Sequence, residues 1–168
     1  PFLENSQDPE KITLGSGPFE PVTLLPWSSG NQLVRVSDGS VCGKVDVIFP
    51  VLHGPYGEDG TIQGHLKLSQ VPFVGSGVLS SALIMDKGMS KNLLAQAGIA
   101  HAAGHCLYQG ECSRERVAQL VADLGLPLFV KPANLGSSVG ISRVSSPQEL
   151  EGALDKAFRF DHRVILEE

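Results

Sequence analysis

A lysine placed on an apolar strand constrains this chain more than any other feature. Leu128-Phe129-Val130-Lys131-Pro132 leads into Ala133-Asn134-Leu135-Gly136-Ser137-Ser138-Val139-Gly140, and a second apolar stretch runs from Val139 to Val144. The segment reads as two strands joined by a loop whose backbone N–H groups and hydroxyls lie beside the lysine. Together such groups can hold polyphosphate. It is not a P-loop, because no Gly-Lys-Ser/Thr follows the glycines and the lysine comes before them. The second half reads equally as a glycine hairpin with a solvated serine pair.

The bulk properties narrow the classes. With 168 residues, 42% hydrophobic and 18% charged, the chain can fold as one domain or two small ones. A formal net charge of −5 with no Lys/Arg cluster argues against a nucleic-acid surface. One or two placed lysines suffice for a nucleotide. No run approaches the apolar length of a membrane span, and no secretory leader stands at Pro1. Cys42, Cys106 and Cys112 form no Cys-x-x-Cys and read as reduced residues of a cytoplasmic protein. The opening at Pro1 and the stop after Val164-Ile165-Leu166-Glu167-Glu168 suggest a fragment.

Residues 1–44 are rich in Pro, Gly and Ser, with a turn signal at Gly15-Ser16-Gly17-Pro18 and a short edge strand expected at Leu33-Val36. Val45-Asp46-Val47-Ile48-Phe49-Pro50-Val51-Leu52 has the near-continuous apolar character of a parallel strand covered on both faces. It ends in His53-Gly54-Pro55-Tyr56-Gly57-Glu58-Asp59-Gly60, at the carboxyl end of a strand, where open α/β sheets bind ligands. A helix over 61–69 and a strand over 71–74 should follow. Residues 80–97 read as helix broken near Asp86, which can cap a second helix with Met89, Leu93, Leu94 and Ala97 on one face and Gly98 at its end. Ser113 can cap another through Leu124, with Val117, Leu120, Val121 and Leu124 inward and Gly125 at the stop. Ser146-Pro147-Gln148-Glu149 has the form of a capping box with proline at the first helical position. Leu150, Ala153, Leu154, Ala157 and Phe158 would form the buried stripe, and 163–167 the last strand. The second region is thus a small α+β layer, helix-helix-strand-strand-helix-strand, and no repeat is visible.

Three separated motifs carry a family resemblance. Val47 to Gly64, reading Val-Ile-Phe-Pro-Val-Leu-His-Gly-Pro-Tyr-Gly-Glu-Asp-Gly-Thr-Ile-Gln-Gly, resembles the N-terminal domain of bacterial D-alanine–D-alanine ligases. Ser81-Ala82-Leu83-Ile84-Met85-Asp86-Lys87 is similar to the start of that family's ATP-grasp domain, and Phe129 to Ile141 to its lysine strand and serine loop. Val164 to Glu167 looks like the strand carrying its adenine contact. The resemblance spans 45–168. It implies an α/β protein: a Rossmann-like (pre-ATP-grasp) N-terminal domain fragment over 1–79, lacking its first strand, then the small α+β subdomain of an ATP-grasp fold over 80–168.

The implied activity is ATP-dependent joining of two D-alanines through a D-alanyl phosphate, for peptidoglycan precursors. D-lactate or D-serine as second substrate is the alternative, as is a fragment inactive alone. The resemblance gives Lys87 and Lys131 to the ATP phosphates, with Ser138, Val139 and the adjacent N–H groups. Gly136 and Gly140 would lend the loop backbone mobility and close approach. Ser137 would hydrogen-bond toward substrate and support the N-terminal-domain glutamate, and Glu58 would help hold the first-substrate side of the pocket. His53 would lie beside the reacting carboxylate. Glu167 would accept from the adenine amino group, and Glu168 would contact the base through its backbone, its side chain mattering less. ATP with Mg²⁺ or Mn²⁺, a cytoplasmic homodimer and no membrane or nucleic-acid partner complete the expectation, with metal ligands and the intermediate-binding arginine after Glu168. Lys91 reads as a solvated face residue, Asp59 as a turn-stabilising residue. His101 and His105 have metal-pair spacing, but Gly104 weakens the helix they need. A dinucleotide oxidoreductase is excluded by the lack of Gly-x-Gly-x-x-Gly after an early strand.

Overall fold

A computed structural model describes residues 20–26 and 31–168; the turn signal at Gly15-Pro18 lies outside them. The first region is a meander of β1 (Val22–Leu24), β2 (Gln32–Arg35) and β3 (Val41–Lys44), all antiparallel in the order β1-β2-β3. The strand expected at an edge is therefore the central one. Its Val34 is buried, and Leu24, Leu66 and Val71 form a small core with Leu33, Val45, Ile48, Ile62 and Phe73. Helix α1 (Thr61–Leu68) covers this core through Leu66 and Ile62.

The apolar run 45–52 departs from expectation. Its β-pairing among the described residues is an isolated parallel bridge between Ile48 and Phe73, so neither 45–52 nor 71–74 is a ladder strand. Ile48 N–H donates to Pro72 O and Val74 N–H to Ile48 O, both at 2.9 Å. Val47, Phe49 and Val51 are 56%, 70% and 69% exposed, which rules out cover on both faces. A strand needs partners to satisfy its backbone, and beyond the bridge the run's one backbone–backbone bond among the described residues is from Val45 N–H to Asn31 O at 2.9 Å.

Helices α2 (Val78–Met85) and α3 (Lys87–Gln96) meet at Asp86, whose extended ψ of 103° breaks the helix and whose carboxylate accepts from Met89 N–H at 3.0 Å. The break falls where the sequence places it, although α2 starts earlier than expected. The α3 stripe is not buried: the helix has no buried residue, and Met89 and Leu93 stay about half exposed.

The second layer is a four-stranded antiparallel sheet in the order β4-β7-β5-β6, with β4 (Gly104–Tyr108), β5 (Leu128–Pro132), β6 (Ser142–Val144) and β7 (Arg163–Glu167). Helices α4 (Arg114–Leu124) and α5 (Leu150–Phe158) back one face. Leu107, Leu120, Leu128, Val130, Val164 and Leu166, each 1% exposed or less, form the main core with Ala157 and Val144. Ser113 caps α4 by accepting from Arg116 N–H at 3.2 Å, as expected. Strand β4 has no local signal, since Gly104-His105-Cys106 lacks strand-like alternation; five register pairs with β7 create it. His105 lies on this strand and His101 in a loop, so the pair shares no helix. The capping box takes another form. Ser146 Oγ donates to Glu149 Oε1 at 2.9 Å and Glu149 Oε2 accepts from Ser145 N–H at 3.0 Å, opening a 3₁₀ turn at Pro147–Glu149 before α5. Leu150, Ala153, Leu154 and Ala157 are buried as expected, with Phe158 at their margin.

Candidate active site

Register places the site on the sheet face away from α4 and α5. Leu128, Val130 and Pro132 are buried while Phe129 and Lys131 alternate to the other side, half-buried. Phe129 pairs with Glu167 and Lys131 with Ile165, so both charged side chains share that face. Lys131 Nζ is bonded to Glu167 Oε1 and lies 5.4 Å from the Phe129 ring centroid. Helix α3 approaches the same face near β4, and its first residue is Lys87.

Lys87 Nζ donates to Leu135 O and, at 3.4 Å, to Ala133 O, while its backbone N–H donates to Ala133 O at 3.0 Å. Burial holds its pKa below the usual lysine value, and the Lys131 charge adds to this against the opposing Asp161 and Glu167. A partly desolvated ammonium beside a second cation would be stabilised by an anion entering the cavity. Glu167 is shifted the other way. Burial alone would raise its pKa, but hydrogen bonds and charge from Lys131 and Lys91 outweigh it and keep the carboxylate below its ordinary value.

The serine loop hangs between these lysines and the strand-end loop. Ser137 and Ser138 take left-handed backbone angles, with φ of 51° and 60°. Two successive residues of this kind turn their N–H groups toward one concavity, the nest geometry that suits anions. Ser137, Ser138 and Val139 are exposed, and neither hydroxyl is engaged by another described protein group. At Gly140, φ is +73° and a Cβ would lie 2.8 Å from both Phe160 Cδ2 and Pro132 Cγ. That glycine is required by packing and backbone angle together. Gly136 sits where a Cβ would be 3.8 Å from Glu58 Oε2, so the loop reaches the N-terminal region. The loop is anchored by buried Asp161, which accepts from Asn134 N–H at 2.8 Å and from Asn134 Nδ2 at 2.9 Å.

On the facing wall, Glu58 Oε2 accepts from Gly54 N–H at 2.6 Å, and Glu58 Oε1 lies 4.0 Å from His53 Nδ1. His53 is 82% exposed, so no described protein group fixes it tightly. Asp59 behaves as a turn residue, accepting from Tyr56 N–H at 2.8 Å and Thr61 N–H at 2.9 Å. A cavity of about 470 Å³ opens between the two walls, lined by Glu58, Gln63, Lys87 and Leu135 among others. Gln63 is buried and donates from Nε2 to Gly57 O at 2.9 Å, tying α1 to the Glu58 loop.

The structure therefore draws together Glu58, Lys87, Lys131, Gly136 and Glu167, with Ser137, Ser138 and Val139 at the rim and His53 beside Glu58. Glu168 differs from expectation in one respect. Besides its backbone bond to Ala103 O, its carboxylate accepts from Ala103 N–H at 2.9 Å, so the side chain is used. Lys91 is a correction: its side chain is only 14% exposed and its Nζ lies 2.8 Å from Glu167 Oε2. The i,i+4 spacing from Lys87 is the available signal. Asp161 is a further site residue without a signal of its own; in sequence it looks like a turn residue before β7.

Comparison with solved structures defines the class first. The VanG D-Ala:D-Ser ligase from Enterococcus faecalis superposes with a TM-score of 0.78 at 37% identity, over 96% of this chain and 44% of that one. The D-alanine-D-alanine ligase from Coxiella burnetii gives 0.79 at 34% identity, over 89% and 41%. The mixed α/β architecture is that of the ATP-grasp fold in these ligases. Two family descriptions match successive stretches, D-ala D-ala ligase N-terminus over 4–76 and D-ala D-ala ligase C-terminus over 93–168. The D-alanine--D-alanine ligase of Proteus mirabilis (strain HI4320) is 46% identical over 99% of this chain and 45% of its own length. The D-alanine--D-alanine ligase A of Escherichia coli (strain K12) is 44% identical over 99% and 46%. The chain belongs to the D-alanine–D-alanine ligase family and spans less than half the length of these relatives.

Proposed function

We propose that the protein of which this chain is a part joins two D-alanine molecules at the expense of ATP, through a D-alanyl phosphate, for peptidoglycan precursors. The observation that carries the reading is a pair of ammonium groups, Lys87 on the Leu135 carbonyl that leads into the exposed serine loop and Lys131 on Glu167, with Glu58 on the wall of the cavity that Lys87 lines. On binding, ATP phosphates would replace the Leu135 and Ala133 carbonyls at Lys87 and draw Lys131 from Glu167. The Ser138 and Val139 N–H groups would meet phosphate oxygens, and Glu167 and Glu168 would hold the adenine edge. Phosphoryl transfer then needs the two ammonium groups to offset charge on the transferring group. His53 and Glu58 would orient the first D-alanine, whose acyl phosphate the second amine attacks with loss of phosphate. Ser137 would link the loop to the first-substrate side of the pocket and help keep water from the acyl phosphate.

Among the described residues no cluster of three His, Cys, Asp or Glu side chains could hold a metal ion. These residues do not supply a magnesium or manganese site. No helix among the described residues is long and apolar enough to cross a membrane. A cytoplasmic homodimer, divided near residue 80 into an N-terminal substrate domain and an ATP-grasp subdomain, completes the proposal. Similarity to a D-Ala:D-Ser ligase favours D-serine as the second reading for the second substrate.

Phosphate release by the full-length protein with ATP and D-alanine, D-serine or D-lactate tests the reaction and chooses the acceptor. Lys131→Ala should weaken ATP binding and slow turnover with the fold intact, losing about 2–5 kcal/mol of transition-state stabilisation. Near-wild-type phosphate release at limiting ATP and saturating D-alanine would remove Lys131 from the phosphates.

A further inference from the structure

We propose that Lys91 is a positioning residue for recognition of the nucleotide base: it holds the Glu167 carboxylate for an exocyclic amino group and leaves Lys131 free to turn to the phosphates. The inference rests on the assignment of Glu167 to the base in the proposed function.

Glu167 carries one lysine on each oxygen, Lys131 on Oε1 and Lys91 on Oε2 at 2.8 Å. The Lys91 ammonium also donates to Ala102 O at 2.5 Å. A single side chain therefore ties α3, the segment entering β4 and the end of β7. Gly104 makes the room: a Cβ there would lie 2.8 Å from Leu166 O and 3.5 Å from Lys91 Cε. A side chain 14% exposed, with a charged partner and a backbone partner, is not held like a surface lysine, whose pairing contributes little.

The chemistry follows from donor and acceptor counts. An ionised carboxylate only accepts, and each oxygen has lone pairs left after one lysine is bound. It can take the 6-amino group of adenine, whereas the 6-oxo group of hypoxanthine presents a second acceptor and repels it. The two lysines pull the carboxylate from opposite oxygens. Removing Lys91 leaves Lys131 as the counter-charge at this carboxylate, which would then swing toward it. Base recognition and phosphate binding would suffer together.

The test uses the full-length protein with ATP and inosine triphosphate at saturating D-alanine, together with the KM for D-alanine and a thermal melt. Lys91→Met should raise the KM for ATP about tenfold and narrow the preference for ATP over inosine triphosphate by a similar factor. The KM for D-alanine should not change, and Lys91→Arg should restore most of the preference. If Lys91→Met does not fold, Lys91→Gln, which keeps a donor without the charge, should show the same narrowing. An unchanged preference in the folded variants overturns the proposal. So does an equal loss for both nucleotides with a lowered melting temperature, which would mark Lys91 as structural only. A wild-type protein that uses both nucleotides equally would remove the base role of Glu167 itself, a result distinct from failure of Lys91.

Discussion

Ser137 and Ser138 are both exposed and both have positive φ. The loop comes within reach of Glu58 at Gly136, the residue before Ser137, while Ser138 precedes the Val139 N–H. The proposed function accordingly gives Ser137 to the substrate side and Ser138 to the phosphates. Ser137→Ala should depress dipeptide synthesis by about 10- to 100-fold in kcat/KM, because its partner is met only when the loop closes. Ser138→Ala should act more on nucleotide affinity. Binding measurements with ATP and D-alanine kinetics on both variants separate the roles. Identical profiles would show that the loop works through its backbone.

Among elements, the ribbon of β5, the serine loop and β6 depends on a tight junction at Gly140. Alanine there would combine an unfavourable positive φ with a Cβ 2.8 Å from Phe160 and Pro132. Strain and overpacking together should cost about 2–4 kcal/mol. The expected outcome for Gly140→Ala is a lower urea midpoint with little change in slope; an unshifted midpoint would mean that Phe160 and the loop yield without cost. The same elements show how uneven the sequence signal is. Helix α4, with Val117 and Leu120 inward, the Ser113 cap and Gly125 at its end, follows from periodicity and capping alone. Strand β4 follows from neither, because only Leu107 in it is buried and its shape is set by pairing with β7.

Across the whole molecule, the paired carboxylate sets an acid limit. The folded pKa of Glu167 lies below its unfolded value of 4.5, held there against burial by Lys131 and Lys91. The unfolded state therefore binds its proton first as pH falls. The stabilisation is fully present above the unfolded value and is lost as pH drops through the folded one. Lys87 has the opposite sign: its depressed pKa makes the buried ammonium a cost, relieved as pH rises through the folded value toward 10.5. Urea midpoints should be level near about pH 6 and fall below about pH 4.5, and Glu167→Gln should flatten that acid limb. An acid limb identical in the variant would place the loss on other carboxylates.

Much of this protein is legible in its amino-acid sequence. Helices satisfy their backbone within a few residues, so α1, α4, α5 and the break at Asp86 follow from local periodicity and caps. The lysine strand and serine loop are also local, as is the alternation that turns Lys131 away from the core. What only the tertiary structure decided depends on groups far apart in the chain. The run 45–52 is apolar enough for a buried strand, yet it forms one bridge because a strand is made by its neighbours. Lys91 looks like a solvated lysine until β7 brings Glu167 to it, and the Glu168 carboxylate is idle until Ala103 N–H arrives. Local sequence sets backbone preference and side-chain facing. Distant pairing decides which charges meet, because an ion pair exists only where two separate elements converge.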